Sequence, residues 1–238
     1  MPNDFFFKRK RGTKNNLINT NKRSPKKCIV GSFTGYSIAV EDLLQKQLLY
    51  SNGCYGKGNL SRSIPNFRSH VSDLDETSNL MLEEAFFLSY VVGCLQVKFQ
   101  DIFLNLDEIW MLFQKSTSNF VPRYISYQHF RMAGWIVRSG IKFGADFILY
   151  KQGPEFHHAS YSVIVGNLNT FLGASEGWVQ LATANRISES ASKELLLCNA
   201  ISLIQAAPDL SSPQCIEHFL LNVVVLKRWV PAIERVMD

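Results

Sequence analysis

Hydrophobic positions along the chain change period more than once. Residues 28–40 (CIVGSFTGYSIAV) suggest a pair of short strands, and residues 41–53 a short helix ended by Gly53. Residues 69–78 (SHVSDLDETS) read as a polar linker. Residues 80–97 then carry apolar side chains at helical spacing. Residues 105–115 form a second helix with Asn105 at its N-cap. Residues 121–135 form a third, with Pro122 in its first turn and Gly134 at its end.

Strands follow. Residues 135–140, 145–152, 160–167 and 177–188 are β-branched or aromatic runs broken by Gly, Pro and Asn. Residues 191–207 (ASKELLLCNAISLIQAA) are expected to form an amphipathic helix, and residues 218–230 (HFLLNVVVLKRWV) a last strand. From Leu220 to Leu226 only Asn222 is polar, whereas a strand with one wet face would alternate. That strand is therefore expected to be covered on both faces, either inside its own sheet or at a subunit interface. Helices, then strands, then a helix and a strand imply an α+β protein with a mixed or antiparallel sheet.

The chain has 238 residues, 46% of them hydrophobic and 19% charged, which suits a globular body with an ample core. No apolar run reaches the length of a membrane span, and no secretory leader pattern is present, so a cytosolic or nuclear protein is expected. The five cysteines are scattered and lack zinc spacing; they read as reduced packing residues. The net charge of +5 is unevenly spread. Residues 1–27 hold nine Lys or Arg against Asp4, giving +8 there and leaving −3 for the rest. This segment reads as a disordered basic tail, with clusters at residues 8–11 and 22–27 suited to nuclear import or to simple solubility. A body with net negative charge must bind RNA, if it does, through a local patch.

Candidate chemistry begins with residues 140–165. Two strands are joined there by a loop holding Gly153 and Pro154, which places Tyr150 near His158. Phenol and imidazole both transfer protons. His157 competes with His158, and neighbouring strand positions face opposite ways, so one of the two is expected at the site. Tyr150 alone reads equally as packing. Lys193, expected to open the helix over 191–207, is either solvated or part of a phosphate site at a helix N-terminus. Metal-dependent nuclease chemistry has weak support: neither Asp146 nor Glu155 begins an acid-x-Lys triplet. Gly-x-Ser-x-Gly, P-loop and dinucleotide fingerprints are also missing.

Residues 134–165 (GWIVRSGIKFGADFILYKQGPEFHHASYSVIV) closely resemble the catalytic domain of tRNA-splicing endonucleases, above all the two-type Sen subunits of eukaryotes. The shared pattern is a Tyr followed eight residues later by His-Ala-Ser, here Tyr150 and His158-Ala159-Ser160. An Arg then stands seven residues before the Lys of Ser-Lys-Glu-Leu, here Arg186 and Lys193. Residues 54–67 resemble the subunit's N-terminal domain and residues 223–231 its last strand, so the likeness runs over roughly 28–238. It departs in length, because animal relatives carry long insertions where this chain has a short acidic linker.

The resemblance implies a small N-terminal α/β domain over 28–134 and a mixed-sheet endonuclease domain of restriction-endonuclease-like type over 135–238. It implies cleavage of intron-containing pre-tRNA at the 5′ splice site, without metal or other cofactor, leaving a 2′,3′-cyclic phosphate and a 5′-hydroxyl. Tyr150 is implied as base, His158 as acid and Lys193 as electrostatic stabiliser, with Arg186 clamping a flipped base. The Tyr has an alternative role, orienting the 2′-hydroxyl. Further implications are a nuclear location and assembly with other endonuclease subunits, a structural one pairing through the C-terminal strand.

Overall fold

Two β-sheets, separated along the chain by helices, organise the computed structural model, which describes residues 28–58, 76–166, 175–204 and 208–227. The basic tail, most of the acidic linker and residues 228–230 of the expected last strand lie outside the described residues.

The first sheet contains β1 (Ile29–Phe33), β2 (Ile38–Val40), β3 (Lys57–Gly58), β4 (Ser78–Leu80), β5 (Leu95–Phe99) and β6 (Ile102–Phe103), in the order β3-β4-β2-β1-β5-β6. β1 runs parallel to β5 and antiparallel to β2, as the expected strand pair at 28–40 requires. Helix α1 (Leu43–Gly53) starts at Asp42, whose side chain accepts the Gln45 N–H at 2.7 Å. It ends one residue beyond the glycine stop: Cys54 takes the left-handed conformation (φ 56°) and donates its N–H to the Tyr50 carbonyl.

The expected helix over 80–97 divides. α2 (Leu82–Phe87) runs into a π-turn (Leu88–Val92), Gly93 at φ 70° stops it, and the remaining apolar residues form β5. α3 (Leu106–Ser116) carries the expected Asn105 cap, completed by Glu108 reaching back to the Asn105 N–H. α4 (Phe120–Met132) has Pro122 in its first turn, and Gly134 follows its end at φ 86°.

The second sheet is β11-β10-β9-β8-β7, built from β7 (Ile136–Ser139), β8 (Phe147–Tyr150), β9 (Tyr161–Val165), β10 (Glu194–Ser202) and β11 (Phe219–Leu226). β9 and β10 are parallel and the other neighbours antiparallel, so the sheet is mixed and the α+β class holds. The crossover between the parallel strands is a helix, α5 (Ser175–Ser190).

Two expectations are reversed at this crossover. Residues 177–188 are helical, and residues 194–202 form the strand β10. The cause is burial on both faces. β10 lies between β9 and β11, with Leu196 and Cys198 packed into the main core and Leu195 and Leu197 under Leu181 of α5. A strand covered on both sides is apolar at every position, and such a run carries no period that separates strand from helix.

One continuous core joins the two sheets. α4 lies on the second sheet and packs against α2, with Phe86, Trp110, Phe113, Phe120 and Tyr124 forming an interlocked aromatic cluster. Arg123 of α4 pins the junction: it meets Glu83 of α2 at 2.5 Å and also pairs with Asp146, which accepts the Val165 N–H at 2.7 Å. Among the described residues, no helix is long and apolar enough to cross a membrane.

Candidate active site at one end of the five-stranded sheet

Strand direction gathers the candidate side chains. β8 is antiparallel to β9, so its C-terminal end adjoins the start of β9. β10 is parallel to β9, so its start adjoins the same point. Leu149 and Glu194 both pair with Tyr161. The Ser160 N–H donates to the Leu149 carbonyl at 2.9 Å, and the Glu194 N–H to the Ser160 carbonyl at 3.1 Å. Carried one residue on, this register aligns Tyr150, Ser160 and Lys193 in one row across the sheet end. The outer two are separated by two strand spacings, about 10 Å.

Lys193 does not open a helix. It follows α5 after Ser192, which turns left-handed at φ 55°, and its N–H donates to the Ser188 carbonyl at 2.9 Å. Its Nζ donates to the Ala191 carbonyl at 3.0 Å and lies 4.2 Å from the centroid of the Phe143 ring. The expected phosphate site at a helix N-terminus is therefore replaced by a lysine at a helix C-terminus, where the helix dipole favours a cation. Half-burial pulls the Lys193 ammonium down from its ordinary value.

Tyr150 ends β8, half-buried among Tyr50, Cys54 and Ile136. Burial raises its phenol above the ordinary value, and the nearby Arg138 guanidinium only partly opposes this. In the isolated chain this disfavours the phenolate, and with it a strong base at this position.

The loop between β8 and β9 is tied to α1. Gly153, at φ 102°, sits so close to Cys54 that a Cβ would come 3.1 Å from its Sγ, and Glu155 hydrogen-bonds the Tyr50 phenol. Phe156 and His157 turn back onto the Gly153 carbonyl at 3.3 and 3.2 Å. The two histidines then differ in environment. His157 is half-buried with Nε2 2.8 Å from Gln152 Oε1, whereas His158 is exposed. Arg186 is exposed on α5, the helix that packs against β10 and the 3₁₀ turn Ile141–Phe143.

Other residues at this end escaped the sequence reading. Tyr150 and Phe143 line a cleft of about 330 Å³ between the two sheets, together with Lys57, Glu84, Arg138 and Lys142. Arg138 is nearly buried and donates from Nη1 to the Gly56 carbonyl at 2.6 Å and to the Cys54 carbonyl. A guanidinium inside the apolar strand WIVRSG was the one available signal. Asp146 and Glu155 are both engaged, with Arg123 and Tyr50 respectively. Among the described residues, no three His, Cys, Asp or Glu side chains group as metal ligands.

Two family models match the chain. Residues 29–110 match the tRNA intron endonuclease N-terminal domain, and residues 120–200 match the tRNA intron endonuclease catalytic C-terminal domain. The tRNA-splicing endonuclease subunit Sen2 of Mus musculus is 39% identical over 165 residues, 67% of this chain and 36% of the relative. Subunit Sen2-2 of Arabidopsis thaliana is 31% identical over 160 residues, 66% of this chain and 62% of the relative. Subunit SEN2 of Saccharomyces cerevisiae is 31% identical over 166 residues, 67% of this chain and 43% of the relative. The chain thus spans less than two thirds of the length of each of these relatives, and about a third of the mouse protein.

Proposed function

The chain belongs to the tRNA intron endonuclease family, and from that membership we propose that it is the catalytic subunit of a tRNA-splicing endonuclease acting on intron-containing pre-tRNA. The observation that carries the reading is the alignment of Tyr150, the His158 loop and Lys193 at one sheet end.

The chemistry suited to these groups is transesterification within the RNA. The 2′-oxygen attacks the adjacent phosphorus as the bond to the 5′-oxygen breaks. A 2′,3′-cyclic phosphate forms on one fragment and a 5′-hydroxyl on the other. His158, exposed at the end of its anchored loop, supplies the proton taken up by the leaving oxygen. Lys193 stabilises the charge that builds on the non-bridging oxygens. Tyr150 accepts the 2′-hydroxyl proton or orients that hydroxyl, and its burial-raised pKa favours orientation unless bound RNA brings further cations to it. Arg186, free to stack on the exposed flank of α5, holds an unpaired base.

The proposed target is the 5′ splice site, supported by the resemblance of residues 134–165 to the two-type Sen subunits. Association with a structural subunit through β11 fits the position of that strand at the sheet edge. The basic clusters of the first 27 residues support nuclear import.

The test is cleavage of an intron-containing pre-tRNA by the reconstituted complex, in EDTA on pre-folded RNA. His158→Ala should reduce turnover at least a hundredfold while RNA binding survives. His157→Ala should stay within about threefold of wild type, since loss of its Gln152 contact is a small structural change. Inactivity of the wild-type complex, or a reversed ranking of the two histidines, refutes the assignment.

A further inference from the structure

The cleft beside Tyr150 is unusual in charge. Outside its N-terminal tail the chain is net negative, yet Lys57, Arg138 and Lys142 all line this one hollow. They come from separate parts of the chain: Lys57 from β3 in the first sheet, Arg138 from β7, and Lys142 from the 3₁₀ turn that follows. Arg138 is held by main-chain carbonyls, so its charge is fixed in place. Lys57 and Lys142 are exposed, and neither forms an ion pair among the described residues.

The cations are close enough to act on one another. Partial burial, then Lys142, then Arg138 pull the Lys57 ammonium below its ordinary value, and the nearby Glu76 does not outweigh them. Among the described residues, Glu84 is the one carboxylate on the wall. It is fully buried, accepts from the Met81 N–H at 3.3 Å, and has its acidity weakened by burial. Three like charges around a hollow with one weakened acid cost free energy that a bound anion would recover.

The hollow also adjoins the candidate catalytic groups. Tyr150 is part of its wall, and so is Phe143, the ring that carries the Lys193 ammonium. We propose that Lys57 and Lys142 form a phosphate subsite shared by the two sheets, which grips the RNA backbone next to the scissile phosphate. The inference rests on the endonuclease reading, which supplies RNA as the polyanion, and gives the N-terminal sheet a direct part in substrate binding. Lys57 and Lys142 act in ground-state binding, since neither is in the row of candidate catalytic groups.

The test uses the reconstituted complex and an intron-containing pre-tRNA with a 2′-deoxy sugar at the cleavage position, which blocks the reaction independently of the protein. Affinity is measured against salt for wild type, Lys57→Gln, Lys142→Gln, the double variant and the double Lys→Arg control. Each Lys→Gln change should lower the slope of log K against log salt by about 0.7, and the arginine control should restore it. With ordinary RNA, the double variant should raise KM several-fold and leave kcat within about twofold. A double variant with wild-type slope and KM overturns the subsite while leaving the endonuclease assignment intact. A kcat loss matching the KM effect instead assigns the lysines to the chemistry and also overturns it. A wild-type complex that binds but does not cleave ordinary pre-tRNA refutes the endonuclease reading itself, and one that does not bind refutes both.

Discussion

Lys193 Nζ rests 4.2 Å from the centroid of the Phe143 ring, so a residue 50 positions earlier in the chain fixes the candidate stabilising cation. The ring favours a localised ammonium by about 0.5–1 kcal/mol. Phe143→Ala should therefore lower kcat two- to fivefold, and Phe143→Tyr should largely preserve it. Single-turnover cleavage rates decide: an unchanged Phe143→Ala rate means that the ring does not position Lys193.

Arg123 joins α2 to the entry of β8 through Glu83 and Asp146, the residue before that strand. Removing the cation leaves two carboxylates facing each other in a partly buried setting, a loss of about 2 kcal/mol after allowance for partial exposure. Arg123→Met should lower Tm by about 4–8 °C in thermal denaturation. A shift below 1 °C would show that the triad contributes little beyond its geometry.

Stability should fall on the alkaline side. Burial pushes the Cys54 thiol up to about 11 and that of Cys198 to about 12, from an ordinary value of 9.0. Above pH 9 the unfolded thiols lose protons that the native ones retain. The native state then binds more protons than the unfolded state, and the free energy of unfolding declines as pH rises. The contribution is intact below pH 9 and costs about 1 kcal/mol per thiol by pH 10. Urea denaturation at pH 8 and pH 10 reads it. The Cys54→Ala/Cys198→Ala protein should lose that part of the slope, and an identical slope would show that other groups carry it.

β11 is neither a central strand nor covered on both faces in the single chain. Among the described residues it pairs only with β10, and its Leu220 and Val225 are 56% and 43% exposed. An apolar edge of this kind invites pairing with another chain. The isolated protein should therefore self-associate, and a related structural subunit should relieve this. Leu220→Asp/Val225→Lys should yield a soluble monomer that no longer captures that subunit. Val224 is a poor probe, because it packs with Leu181, Leu195 and Leu197, and a charge there would damage the chain's own fold. Size-exclusion chromatography with light scattering decides: a stable wild-type monomer contradicts the interface.

The sequence alone determined what depends on near neighbours. Asn105 and Glu108 cap α3 at fixed spacing, Pro122 suits the first turn of α4, and β7, β8 and β9 are short β-branched or aromatic runs between breakers. Tyr150, His158 and Lys193 were legible as a spaced pattern through the resemblance, and the topology then brought their backbones to one sheet end. Tertiary structure decided what depends on the environment of a segment. Residues 195–198 (LLLC) are apolar at every position because β9, β11 and α5 surround them, and an unbroken apolar run has no period to distinguish strand from helix. Taking that run as a helix also placed Lys193 at the wrong end of one. Pairing across long separations was equally hidden. Arg123 meets Asp146, and Lys57 joins Lys142 across 85 residues, only because α4 and the two sheets share one core. Charge convergence of this kind leaves no local trace, since the Coulomb interaction depends on distance in the folded chain and not on position along it.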